Sequence, residues 1–189
     1  MRENWDQFYQ LTKDKPPSAG LVKAVSLLEH AGEALDLGCG SGRDTRYLLA
    51  QGFQVTAVDQ EATALAALTE LLTERLSLVQ SAFEDFTFAK YDLVNAHFAL
   101  PFIRKNLFST VFTRLKASLK PGGIFVGQFF GIHDAWNARA EHMTFLTREQ
   151  TLKELAGLET LGFEEEDADG FTTEGFAKHW HVYHIIARK

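Results

Sequence analysis

The sequence predicts an α/β fold, a doubly wound and mainly parallel sheet with helices on both faces. Three observations predict it. Short apolar runs alternate with helical patterns along most of the chain, as right-handed βαβ crossovers require. The first apolar run ends in a glycine-rich turn that opens a helix. The second ends in an acid about 20 residues further on, where a sheet of this kind places ligand contacts.

The elements follow in order. Asn4 to Thr12 sets Trp5, Phe8, Tyr9 and Leu11 at helical spacing, and Pro16-Pro17 breaks the pattern. Leu21, Val22, Val25 and Leu28 continue a helix from Ser18, a candidate N-cap, to about Ala31. Ala34 to Leu37 reads as a buried strand, Asp44 to Gln51 as a helix stopped by Gly52, and Phe53 to Val58 as a second strand ending at Asp59. Ala62 to Leu72 is rich in Ala and Leu, hence helical. Leu76–Gln80 and Tyr91–Ala96 are the third and fourth strands. Arg104 to Leu119 carries one apolar stripe and reads as a helix. Pro121-Gly122-Gly123 turns the chain into a fifth strand, Ile124–Phe130. Thr147-Arg148-Glu149-Gln150 has capping-box spacing and opens a helix to Leu155. Two last strands, 158–163 and 181–187, are expected to pair antiparallel through the connection 164–175.

Composition narrows the function classes. The chain has 189 residues, the size of one domain. Hydrophobic residues make up 46% and charged residues 23%, close to the norm for soluble domains. No apolar run approaches a membrane span, and Met1 leads into Arg2-Glu3-Asn4, so neither a transmembrane helix nor a secretory signal is expected and the location is expected to be cytoplasmic. The single Cys39 excludes a disulfide framework, and no metal site is expected. A formal charge of −6 argues against nucleic acid as a partner.

The most informative segment is Leu35-Asp36-Leu37-Gly38-Cys39-Gly40-Ser41-Gly42-Arg43-Asp44. Its glycines let backbone approach a ligand, and the helix N-terminus that follows favours an anionic group. The spacing is G-x-G-x-G, with Arg43 where a dinucleotide fingerprint requires its last glycine, and no Gly-Lys-Ser/Thr ending marks a Walker loop. Asp59 stands where an acid can accept both ribose hydroxyls; an N-cap for the next helix is its structural alternative.

Together with Ala57-Val58-Asp59-Gln60, Phe83-Glu84-Asp85-Phe86, Tyr91-Asp92-Leu93-Val94 and Leu119-Lys120-Pro121-Gly122-Gly123, this loop resembles the motif series of class I S-adenosylmethionine-dependent methyltransferases. The resemblance spans residues 33 to 130. It is closest to the small bacterial methyltransferase-domain proteins related to the tellurite-resistance methyltransferases, which Trp5-Asp6-Gln7-Phe8-Tyr9 and Lys178-His179-Trp180-His181 also resemble. It implies a Rossmann-like, seven-stranded sheet in the order 3-2-1-4-5-7-6 with the last strand antiparallel. It also implies one domain over 1–189: a helical lid over 1–31, a cofactor-binding core over 33–130, and an acceptor-side insert with the final strands over 131–189.

Carried over by position, the resemblance places the methionine part of S-adenosylmethionine at Gly38, Gly40 and Ser41, with Asp36 supporting the loop and Arg43, at the start of the next helix, as a further cofactor-binding residue. Asp59 maps to the ribose diol and Gln60 flanks the adenine. Ala82 stands where many relatives carry an acid for the adenine amino group, which leaves Phe83 to stack, or else to pack in the core, and Glu84 as an acceptor. Phe86 reads as core. Asn95 and His97 close the fourth strand beside the sulfonium, His97 either as a catalytic group or as a structural one. Trp5 and Tyr9 cover the cofactor or simply pack on the sheet. His133, Asp134 and Trp136, in the insert between Phe130 and Thr147, are the expected acceptor wall, whereas His179-x-His181 reads as structural.

The implied function is methyl transfer to a small-molecule acceptor by in-line displacement, in a monomer or homodimer without nucleic acid or membrane partners. The alternatives are a cofactor-binding module without catalysis and a protein methyltransferase. A nicotinamide oxidoreductase fits poorly, because Arg43 replaces the last glycine and no Tyr-x-x-x-Lys pair occurs. The Asn95-Ala96-His97-Phe98 run is not the Asn/Asp-Pro-Pro-Tyr/Phe motif of base amino-methylases.

Overall fold

Ala34, Leu35 and Leu37 are all fully buried, so the first strand is apolar on both faces, as a strand covered on two sides must be. The computed structural model describes residues 5–71 and 73–189. Met1–Asn4, including the Asn4 start expected for the first helix, and Leu72, the expected end of another, lie outside the described residues.

Among the described residues the sheet has β1 (Glu33–Leu37), β2 (Gln54–Asp59), β3 (Leu76–Gln80), β4 (Tyr91–Ala96), β5 (Leu119–Gly131), β6 (Phe145–Leu146), β7 (Glu159–Phe171) and β8 (Ala177–Arg188). Their order is β3-β2-β1-β4-β5-β8-β7, with β6 beside β5. This is the expected order, renumbered by the two-residue β6. The pairs among β1 to β5 are parallel, and β8 runs antiparallel to both β5 and β7.

Seven of the residues that line one face of the sheet and its cover are Leu21 and Ala24 of α2 (Ala19–Ser26), Leu48 of α3 (Arg43–Ala50), Leu65 of α4 (Ala62–Ala66), and Val55, Ala57 and Val126 of the sheet. On the other face Phe108, Val111, Phe112 and Leu115 of α5 (Lys105–Ser118) meet Leu35, Leu37, Phe125 and Phe129. The Phe112 ring meets Phe125 and Phe129 edge-on at 5.2 and 5.1 Å, a geometry that aligns ring edges with ring faces. α6 (Arg148–Glu154) starts with the expected capping box, in which Thr147 accepts from the Gln150 N–H and Gln150 from the Thr147 N–H. The first helix, α1 (Trp5–Thr12), lies over the glycine loop. No helix among the described residues is long and apolar enough to cross a membrane.

Several boundaries differ from expectation. Ser18 stands at the N-cap of α2 but makes no side-chain cap bond; its N–H and hydroxyl both donate to Asp44, at 2.9 and 3.0 Å. α2 ends at Ser26 rather than Ala31, and the 62–72 helix divides into α4 and a 3-10 turn, Thr69–Leu71. Gly122 and its neighbours are an irregularity inside β5 rather than a turn before it. The last two strands extend through the expected 164–175 connection, so that the hairpin turns only at 172–176.

Candidate functional site

Strands β1, β2 and β4 deliver their C-terminal residues to one rim, and the residues singled out in the sequence gather there. Gly38, Gly40 and Gly42 all have positive φ, at 77, 51 and 80°. At Gly38 the space is also closed, since a Cβ would lie 2.6 Å from the Ala99 Cβ and 3.2 Å from the Phe83 ring. Only glycine fits there without displacing the β4 exit.

Asp59 ends β2, and its carboxylate accepts the Gly40 N–H at 2.9 Å and the Glu61 N–H at 3.0 Å. It therefore ties the loop to the second strand while keeping further lone pairs, because an ionised carboxylate offers about four acceptor sites. Burial raises its pKa, against the pull of those N–H groups.

A buried polar network lies beneath the loop. Asp36, near the end of β1, accepts from the Thr45 hydroxyl at 2.5 Å and from Asn95 Nδ2 at 2.8 Å. Asn95 Nδ2 also reaches Asp44 at 3.2 Å. Burial, reinforced by the Asp44 charge, pushes Asp36 up to about 7. Burial raises Asp44 too, but the Arg43 guanidinium and its other neighbours outweigh it and hold Asp44 below its ordinary value. Asn95 Oδ1 is buried and has no hydrogen-bond partner among the described residues. A buried amide oxygen without a donor is a vacant acceptor.

α1 closes the loop from above. The Tyr9 ring is 3.2 Å from the place of a Cβ on Gly40, and Tyr9 is 7% exposed. Trp5 stacks on Tyr9 at 6.1 Å and meets Phe102 edge-on at 5.5 Å. Thr12 and Ser41 hydroxyls are 3.1 Å apart, and Arg46 donates to the Ser41 carbonyl at 2.7 Å.

His97 follows β4 on the same rim. Burial pulls its pKa down to about 4, in spite of the nearby Asp44 charge, so its imidazole is neutral at pH 7. Next to it Phe98 holds φ 49°, the only positive φ of a non-glycine among the described residues, with its N–H donated to Gln128 Oε1 at 2.8 Å. A bulky residue there stores backbone strain that its surroundings must hold. Beyond it lies an aromatic wall, in which Trp136 meets Phe130 at 5.9 Å and Trp180 at 5.7 Å. Asp134 is not on the surface: it is buried against Lys178 at 2.5 Å.

The rim therefore brings together Tyr9, Trp5, Asp36, Gly38, Gly40, Ser41, Arg43, Asp59, Asn95, His97 and Phe83, the last packed between Gly38 and the core. Two others stand beside it with their side chains exposed. Gln60 is exposed and offers its carbonyl to Gln80, and Glu84 is exposed with its carbonyl accepting from Arg114. Phe86 is core, as read. The sequence reading missed Asp44 and Thr45, which hold the network together; an acid and a hydroxyl in the first turn of the helix after the loop were the available signal.

Residues 34–123 match the family model described as "Methyltransferase domain". Among curated proteins, the alpha N-terminal protein methyltransferase 1 of Arabidopsis thaliana is 34% identical over 116 residues, 56% of this chain and 42% of that one. The chain spans under half the length of the curated relatives it matches, 44% and 42% for two of them. The crystal structure of TehB from Haemophilus influenzae superposes with a TM-score of 0.80 at 18% identity, over 97% of this chain and 66% of that one. The Burkholderia thailandensis 1,6-didemethyltoxoflavin-N1-methyltransferase, solved with bound 1,6-didemethyltoxoflavin and S-adenosylhomocysteine, gives a TM-score of 0.70 at 23% identity over 98% of this chain and 83% of that one.

Proposed function

We infer that this chain, which carries a methyltransferase domain in the class I fold, binds S-adenosylmethionine on its glycine loop and passes the methyl group to a small-molecule acceptor. The observation that carries the reading is the bond from the Gly40 N–H to Asp59, which joins the glycine loop to the acid at the end of β2. A loop that admits close approach and an acid with spare lone pairs stand side by side, as a nucleoside with an amino-acid tail requires.

The residues fit that cofactor. The partnerless Asn95 Oδ1, beside Asp36, is an acceptor for the ammonium of the methionine part. Asp59 has lone pairs left for the ribose diol. Tyr9 and Trp5 exclude water from above. When bound, S-adenosylmethionine supplies a methyl already activated on a sulfonium, so the protein's work is to align an acceptor lone pair behind it. His97 is neutral, which suits a site that must take a cation without adding charge repulsion. At about 4 its pKa makes it a weak base at neutral pH, and we assign it an orienting role, holding the acceptor through a ring nitrogen. Phe98, Trp136 and Trp180 offer flat apolar surface to an organic acceptor.

Calorimetry with S-adenosylhomocysteine, followed by transfer of a labelled methyl to a panel of amines, thiols and carboxylates, tests the reading. Binding that Asp59→Ala weakens, together with label on a small molecule, is expected. Labelling confined to added protein would overturn the acceptor class, and no response to the cofactor would overturn the reading altogether.

A further inference from the structure

We propose that His133, Asp167 and His181 form a binding site for a divalent first-row transition-metal ion, where the segment after β5 meets the β7–β8 hairpin. Each of these residues offers a ligand atom, and the ligand atoms all lie within 4.8 Å of one another. The proposal goes beyond the methyl-transfer reading and does not depend on it.

The fold assembles the group from distant parts of the chain. Asp167 lies opposite His181 in the antiparallel ladder, so both side chains project from one face of the hairpin. His133 arrives two residues after β5, and Gly131 makes room for the approach. A Cβ on Gly131 would fall 2.2 Å from the His181 ring, so only a residue without a side chain lets the imidazole lie across the strand. The two imidazoles stack at 4.7 Å and 23°, and His133 Nδ1 is 2.8 Å from Asp167 Oδ2.

A second layer of partners orients the first. His181 Nε2 is 3.1 Å from Glu165 Oε1, which leaves Nδ1 as the ligand nitrogen. Asp167 Oδ1 is 2.8 Å from His179 Nε2, and His179 Nδ1 is 2.8 Å from Asp169. A carboxylate behind the imidazole and an imidazole behind the carboxylate are the outer contacts that hold metal ligands in place. His181 Nδ1 now accepts the His133 N–H at 3.1 Å, and an incoming ion takes that lone pair in its place. Coordination through His133 Nδ1 puts the imidazole proton on Nε2, which faces solvent.

Two imidazole nitrogens and one carboxylate oxygen favour Zn²⁺, Co²⁺ or Ni²⁺ over Mg²⁺ or Ca²⁺, which prefer all-oxygen shells. The His133 side chain is 59% exposed, so water completes the coordination and the ion keeps open positions. Bound there, the ion would pin the segment carrying Asp134 and Trp136 to the hairpin, and so fix the wall beyond His97.

The test is calorimetric titration of tag-free, chelator-treated protein with Zn²⁺, with Mg²⁺ as control and Co²⁺ absorption as an independent readout. Stoichiometric Zn²⁺ binding is expected, with no Mg²⁺ response. His133→Ala and Asp167→Asn, both at exposed positions, should each weaken Zn²⁺ by at least about tenfold and leave the circular dichroism unchanged. His184→Gln, whose ring pairs with Glu166 outside the set, should bind as the wild type does. Absence of Zn²⁺ binding, equal binding by all variants, or equal loss in His184→Gln would overturn the proposal, whatever the response to S-adenosylhomocysteine in the same samples.

Discussion

Replacing Lys178 by Met should destabilise the protein far more than a lysine substitution ordinarily does. The ammonium is 2.5 Å from Asp134, and the two side chains are 2% and 0% exposed. It also lies 3.5 Å from the Trp180 ring centre, 4.4 Å from that of Trp136 and 5.1 Å from that of Phe130. Lys178→Met keeps the stem and its packing but strands the Asp134 charge in a dry, aromatic surround. Removing one partner of such a buried pair costs about 3–5 kcal/mol. For a chain of this length each kcal/mol lowers Tm by about 2–4 °C, so a fall of about 6–20 °C is expected. Lys178→Met/Asp134→Asn removes both charges and keeps an oxygen for the Trp136 N–H, which Asp134 accepts at 3.0 Å. The double variant should therefore recover most of the loss. Urea and thermal unfolding of the four proteins close the cycle. If the double variant is as unstable as Lys178→Met, the charge imbalance is not the cause and the reasoning fails.

Asp59→Asn should weaken S-adenosylhomocysteine by about 10- to 150-fold, the equivalent of 1.5–3 kcal/mol for a charge-assisted bond, as calorimetry would measure. Gly40→Val places a branched side chain at φ 51° against the Tyr9 ring; it should leave the sheet folded by circular dichroism, displace α1 and abolish cofactor binding, and retained binding would show that the loop is not the site. His97 has a folded pKa of about 4 against an ordinary 6.5, so between those values the unfolded chain binds more protons. Its share of stability is complete above about pH 6.5 and lost as pH falls toward 4, and wild type should therefore lose more urea resistance across that window than His97→Gln does. Asp36, raised to about 7, acts in the opposite sense, its share falling as pH rises from about 4 to 7. The comparison with His97→Gln keeps Asp36 constant and separates the two, and equal losses in both proteins would exclude a half-buried His97 held neutral by the fold.

What was legible in the sequence was whatever repeats locally. The strands read at 34–37, 53–58 and 91–96, the Thr147 capping box and the glycine turn all act over a few residues, and each stands within one residue of where it was read. The extent of β7 was hidden because its middle, Glu164 to Asp167, has no apolar alternation; these residues are exposed and are held as strand by β8, not by their own preference. Ser18 carried an N-cap signal that a more distant acid, Asp44, overrides. At the rim, Gly38 and Asp59 were readable from spacing, whereas Gln60 and Glu84 were placed by position alone, and their carbonyls rather than their side chains are engaged. Lys178 is the clearest case of hidden information. A lysine in a strand reads as solvated, and only the folded chain reveals the acid 44 positions earlier that draws it inside. The His133–Asp167 pair, 34 positions apart, was out of reach for the same reason.

β7 is the last strand of the sheet, so one side of a 13-residue backbone is open to pairing with another molecule. Open edges of that length are where proteins join into aggregates. Here four consecutive acids, Glu164, Glu165, Glu166 and Asp167, occupy the strand's middle. A second copy approaching edge to edge would set carboxylate against carboxylate, an arrangement that destabilises a ladder. Three of the four, Glu165, Glu166 and Asp167, pair with histidines of their own molecule, and together the four acids make the edge a poor template for its own kind, so that the long hairpin can exist without becoming the seed of a fibre.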